Sequence, residues 1–385
     1  MTQPDLSMDA AVTALAGVDR PRDRDASETY ARVWWSVLAE PGDGAAGELM
    51  ARFGPEDALR IALSDVDDEW SSARSRWMPR ADSGAVRRAL DAARRAGARL
   101  LVPSDPRWPS RLHDLGTHAP HVLWLRGDPE PADSAPTVAI VGARAATPYG
   151  EAVAADLAAE LAASGVVVVS GAAYGIDGAA HRAALSTEGR TIAFLAGGVD
   201  RAYPRGHESL LASIAKSGAV VSETPCGAAP TKWRFLSRNR LIAALADAVI
   251  VVEAGHRSGS LNTAAHAAQL GRALGAVPGP VTSAASAGSH RVLREFDGVC
   301  VTSAADVREM LGGPVAAPPA VDGRTDETSR LLDALSSRVG RDAEDVARRA
   351  GFAYADAQAL LGLAQLDGRA ARGEDGLWRS VKRGR

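Results

Sequence analysis

Residues 232–240, Lys232-Trp233-Arg234-Phe235-Leu236-Ser237-Arg238-Asn239-Arg240, put four cations and two aromatic rings into nine residues with no acid among them. Cations attract phosphates and interleaved rings offer flat faces to unpaired bases, so this chemistry suits single-stranded nucleic acid. The rest of the chain does not share it. Its 385 residues carry 44 Lys and Arg against 47 Asp and Glu, a formal net charge of -3. A polyanion would therefore meet a local patch and not a generally basic surface. Only three of the 44 basic residues are lysines, which makes Lys232 an unusual choice in an Arg-rich background.

Other chemistries find less support. Cys226 and Cys300 are too far apart for a CxxC knuckle or a disulfide framework, and the eight histidines never fall in an HExxH spacing, so no metal site is expected. The turn after the run at 137–141, Gly142-Ala143-Arg144-Ala145-Ala146, does not satisfy GxGxxG, and GxxxxGK[ST] and GxSxG are absent, which removes the usual support for NAD, P-loop ATP and a nucleophile elbow. No cofactor and no catalytic residue is expected. His181 follows Asp177 by four residues and could be imagined as an acid/base pair, but a helix-capping Asp beside a packed His is the plainer account. The basic helix around Arg87, Arg88, Arg94 and Arg95 is most simply a solvated surface. The longest apolar runs fall far short of the ~20 residues of a spanning helix, and the polar start lacks a signal-peptide core. A cytoplasmic protein is expected.

These residues need a scaffold. Short continuous apolar runs at 137–141, 166–169, 191–195, 219–221 and 248–252 alternate with Ala-rich helical stretches at 151–164, 178–185, 208–216 and 261–270. Continuous runs fit parallel strands buried on both faces, and their alternation with helices implies an α/β fold, a Rossmann-like doubly wound, mostly parallel sheet, over 99–312. Further strands are expected near 275–280 and 298–301. Residues 26–98 read as a helical domain, preceded by a frayed stretch over 1–25. A Pro/Gly/Ala-rich linker at 313–326 leads to three helices and a hairpin at 327–385, a pattern that fits a winged helix.

Each strand of the sheet runs into a glycine or polar cluster: Gly142-Ala143-Arg144, Ser170-Gly171, Gly197-Gly198, Ser222-Glu223, and Glu253 followed by Ser258-Gly259-Ser260. In an open parallel sheet these carboxyl ends line the ligand crevice. Glycines there let backbone N–H groups approach an anion, though each alone is also explained by tight strand-to-helix packing. Arg144 would add a bidentate phosphate grip. Trp233 fits a core or a ligand role equally. Phe235, flanked by cations in an expected loop, should be exposed, and one of Arg238 and Arg240 should merely cap a helix or pair with Asp247 or Glu253.

In order and spacing, the motifs Gly142-Ala143-Arg144, Ser170-Gly171-Ala172-Ala173-Tyr174-Gly175-Ile176-Asp177, Tyr203-Pro204, Ser222-Glu223, Phe235-Leu236-Ser237-Arg238-Asn239-Arg240, Ser258-Gly259-Ser260 and Val277-Pro278-Gly279 resemble the DNA-processing protein DprA (Smf) family. The resemblance covers about residues 100–312, with flanks similar to that family's sterile-alpha-motif-like and winged-helix domains. It implies a non-enzymatic protein that binds single-stranded DNA, forms a homodimer through the Rossmann-like domain, and loads RecA during natural transformation. By position it implies phosphate contacts for Arg144 and Lys232, base stacking for Phe235, and the Arg-Asn-Arg signature for Arg238, Asn239 and Arg240. The dimer contact would fall near 290–296.

Three departures bear on affinity. Tyr174 stands where the family's Ala-Arg-Gly-Ile-Asp has arginine, Leu236 where its Phe-Pro has proline, and Ala244-Leu245-Ala246 where Gly-Leu-Ser is usual. The rival from another class is a nucleotide phosphoribohydrolase of the Lonely Guy type on a related fold. Its glutamate would fall at Thr263, which cannot stabilise an oxocarbenium ion.

Overall fold

A computed structural model describes residues 4–20, 26–128, 134–314 and 327–381. Parts of the expected frayed start and nearly all of the expected linker lie outside the described residues. The chain divides into two compact units, 1–314 and 315–385.

In the first unit, helices Met8–Leu15, Ala26–Leu38, Gly44–Ala62, Ser71–Trp77 and Ser83–Ala96 precede the sheet. The first corrects the sequence expectation. Ala11 and Leu15 are fully buried, so part of the stretch expected to fray is anchored by its apolar stripe. Caps mark the helix ends: Asp43 accepts from Ala45 N and Ala46 N, Asp82 accepts from Gly84 N, and Gly97 closes the last helix at φ 61°. Trp35 and Trp77 pack edge to face at 5.2 Å. These helices share one apolar cluster with Leu100, Trp124, Leu195 and Val220, so they are joined to the sheet by a common core.

The sheet has nine strands: β1 Arg99–Leu101, β2 Leu123–Gly127, β3 Thr137–Val141, β4 Val167–Ser170, β5 Thr191–Phe194, β6 Ala219–Ser222, β7 Ala248–Val251, β8 Ala273–Ala276 and β9 Val299–Cys300. Their order is β1-β2-β6-β5-β4-β3-β7-β8-β9. Pairing is parallel from β6 to β9 and antiparallel for β1–β2 and β2–β6. The continuous apolar runs have the expected cause. Ala139 and Val141 enter one core with the helix Lys232–Leu245, while Val138 and Ile140 enter another with the helices Pro148–Ala163 and Ile176–Ser186.

The second unit holds helices Glu327–Asp333, Ala343–Ala350 and Tyr354–Leu366, then the hairpin of β10 Ala370–Arg372 and β11 Trp378–Ser380. Leu331, Val346, Leu361 and Trp378 form its core. Among the described residues, no helix is long and apolar enough to cross a membrane.

Candidate nucleic-acid interface

From β3, the middle of its seven parallel strands, the sheet grows through β4, β5 and β6 to one side and then through β7, β8 and β9 to the other. The loops leaving β3 and β7 therefore part at a topological switch point, where a crevice must open. A cleft of about 570 Å³ lies there. Gly142 and Arg144 line it after β3, Ala173 and Asp177 after β4, and Ser258, Gly259 and Ser260 after β7.

The remaining lining comes from the start of the helix Lys232–Leu245, including Lys232, Phe235, Leu236, Arg238 and Asn239. This corrects the expected loop. Thr231, extended at φ -127°, caps the helix by accepting from Arg234 N at 3.2 Å, and neither Gly nor Pro interrupts the fourteen residues that follow. Helices Ile176–Ser186 and Ser260–Gln269 also begin at the cleft, behind Gly175 and Gly259, with no side-chain cap on either. Three positive helix ends thus serve one crevice, an arrangement that favours anions.

Arg144 and Lys232 are exposed, and neither is in a salt bridge with any described carboxylate. Phe235 is half-buried, not exposed as expected. The Arg144 guanidinium lies 4.6 Å from its ring centroid, and the Tyr203 ring packs 5.4 Å away at 53°. In the sequence Tyr203 stands out only within the Tyr203-Pro204 motif, with no role at the site assigned to it. It sits in the loop after β5, so the same strand-end rule that found the glycines would have found it.

Arg238 is only 6% exposed, yet it lines the cleft. Its Nη1 donates to Phe194 O at 3.2 Å and its Nε has no partner. Burial lowers its pKa to about 10, opposed by the Asp177 charge and reinforced by Arg144, so it stays cationic near neutrality. Burial raises Asp177 in turn, against the pull of Arg238 and of backbone N–H groups; its Oδ2 accepts from Gly171 N at 3.1 Å. Asn239 Nδ2 donates to Gly259 O at 3.1 Å and to Asn262 Oδ1 at 3.3 Å, which fixes the Ser258–Ser260 turn where the two hydroxyl oxygens are 2.7 Å apart.

Three residues expected in the interface do other work. Ser170 is fully buried and donates through Oγ to Ile140 O at 2.7 Å, tying β4 to β3. Gly171 makes room: a Cβ there would lie 1.6 Å from Arg238 Nη1. Arg240 turns away from the cleft and pairs with Glu223 at 2.8 Å, neither Asp247 nor Glu253 being its partner. Its Nε also donates to His118 O at 3.1 Å. Asp247 instead serves Arg111 and Thr137, and Glu253 holds Thr147.

Tyr174 is half exposed and meets His207 edge to face at 4.8 Å. His181 is a packed core residue, its Nδ1 2.7 Å from Thr191 Oγ1.

A family profile described as DNA recombination-mediator protein A matches residues 99–312. The chain belongs to this family. A Mycobacterium tuberculosis protein named for DNA processing, DprA, is 43% identical over 378 residues, covering 92% of this chain and 95% of its own. The Bacillus subtilis DNA processing protein DprA is 37% identical over 224 residues, 58% of this chain and 75% of its own. Among solved structures, DprA of Streptococcus pneumoniae superposes with a TM-score of 0.61 at 30% identity, over 73% of this chain and 97% of that one. The Helicobacter pylori protein, described for its single-stranded DNA binding mode, gives 0.51 at 31% identity, over 56% of this chain and 95% of that one.

Proposed function

We propose that the protein binds single-stranded DNA in the switch-point cleft, acts as a homodimer in the cytoplasm, and delivers that DNA to RecA. The observation that carries this is the side-by-side placement of two cations without carboxylate partners, Arg144 and Lys232, with the Phe235 ring between backbone N–H-rich helix ends. Phosphates would meet Arg144, Lys232 and the buried charge of Arg238, while Ser258, Gly259 and Ser260 present backbone and hydroxyl donors. A base would stack on the Phe235–Tyr203 pair. Competition of single-stranded against duplex DNA for the full-length chain tests this. Single strands should win at equal nucleotide concentration, and a preference for duplex would overturn the proposal.

A phosphoribohydrolase reading fares worse. Thr263 lines the cleft where a carboxylate would be needed, and Asp177, the one lining carboxylate among the described residues, is engaged by backbone N–H groups. For the second unit we propose a winged-helix module used for protein contacts. Its helix Tyr354–Leu366 has neither Arg nor Lys, and Leu363 and Leu366 are exposed.

A further inference from the structure

The cleft leaves Trp233 and the arginines of the helix Ser83–Ala96 without a role. Trp233 is 62% exposed, more than any other aromatic side chain among the described residues. Its chain neighbours face different places: Lys232 lines the cleft, and Arg234 lines a second pocket of about 460 Å³. That pocket is walled by the helix Ser83–Ala96, by Asp200 and Arg201, and by the turn from Pro225 to Ala228.

Five guanidinium groups line it: Arg80, Arg88, Arg95, Arg201 and Arg234. Their carboxylate partners are unevenly shared. Arg80 and Arg234 divide Glu40, whose burial is outweighed by these two partners so that its pKa falls. Arg88 has Asp82, and Asp91 is taken by Arg94. Arg95 has no carboxylate partner among the described residues, and Arg201 reaches Asp200 only at 3.7 Å while 67% exposed. Asp200 itself is engaged by Gly227 N at 2.7 Å. The pocket therefore offers two exposed cations, and it is also lined by Arg234, the chain neighbour of Trp233.

We propose that this pocket is a second phosphate-binding site for the same DNA strand, and that Trp233 is the stacking platform over which the strand passes from the cleft to Arg201 and Arg95. The inference rests on the cleft binding single-stranded DNA. Alternating cations and aromatic faces along a continuous path are what a sequence-tolerant strand track requires.

The test is anisotropy with oligothymidylates of about 5 and about 20 nucleotides, chosen to fill one site or both. The full chain would be compared with Trp233→Ala and with the Arg95→Ala/Arg201→Ala double variant. For the 20-mer, the double variant should lower the salt slope by about 1.4, or about 0.7 for each lost phosphate contact. Trp233→Ala should weaken the 20-mer roughly tenfold. Both variants should bind the 5-mer as the unsubstituted chain does, and Arg95→Lys/Arg201→Lys should restore the slope. An unchanged 20-mer slope overturns the second site, as does equal weakening at both lengths. Failure of the unsubstituted chain to bind even the 5-mer would remove the cleft reading itself.

Discussion

The most informative single perturbation lies inside the Arg-Asn-Arg signature, because the structure gives its two arginines opposite fates. Arg240 and Glu223 have side chains only 6% and 8% exposed, and Arg240 Nη2 lies 2.8 Å from both carboxylate oxygens. The same guanidinium donates to His118 O at 3.1 Å, and a Cβ on Gly42 would sit 3.0 Å from its Nε. It therefore pins the turn between the helices Ala26–Leu38 and Gly44–Ala62 to the carboxyl end of β6. Removing one partner strands the other charge in the interior, which costs about 3–5 kcal/mol. At about 2 °C per kcal/mol for a unit of this size, Glu223→Ala should lower the melting temperature by about 6–10 °C, with Arg240→Ala falling in the same range. The paired Glu223→Gln/Arg240→Met change should recover most of the loss, since no lone charge remains. Below the melting transition Arg240→Ala should still bind single-stranded DNA. If Arg240→Ala melts like the unsubstituted chain but loses DNA, the structural assignment of this arginine is wrong.

Other consequences are open to direct measurement. Phe235→Ala should raise the Kd for single-stranded DNA by about five- to 150-fold, the equivalent of about 1–3 kcal/mol for one stacked base, as read by anisotropy. Gly171→Ala should displace Arg238 and weaken DNA binding. In an Arg238→Ala background the same change should cost little, so additive losses would contradict the contact. His121 and His181 are held near a pKa of about 3 by burial, below the unfolded value of about 6.5. Their contribution to stability is complete above pH 6.5 and is lost as pH falls toward 3, at up to about 1.4 kcal/mol per pH unit for each. Urea melts at pH 7 and 5 should show this loss, and His181→Phe should shrink it. Asp177, raised by burial, titrates with the opposite sign, which is why the histidine variant is the decisive one.

Much of the scaffold could be read from sequence because strands such as Thr137–Val141 are buried on both faces and carry no polar interruption. The helix Lys232–Leu245 could not. Its exposure changes along its length, from the exposed Lys232 and Trp233 to the wholly buried stretch from Leu241 to Leu245, so no apolar stripe marks it. The antiparallel strand Leu123–Gly127, second from the edge of the sheet, was hidden because its apolar run is short and gives way to Arg126 and Gly127. At the cleft, the strand-end rule named Gly142, Arg144 and Ser258, and all three are among its lining residues. What it could not supply was the partner of each cation. Glu223 precedes Arg240 by 17 residues on another element, and only the fold brings them together.

The salt dependence of single-stranded DNA binding bears most directly on the cleft. With Kd measured across a series of salt concentrations, Arg144→Ala and Lys232→Ala should each lower the slope of log K against log salt by about 0.7, and their combination by about 1.4. Slopes that stay unchanged in both variants would contradict phosphate binding at this cleft.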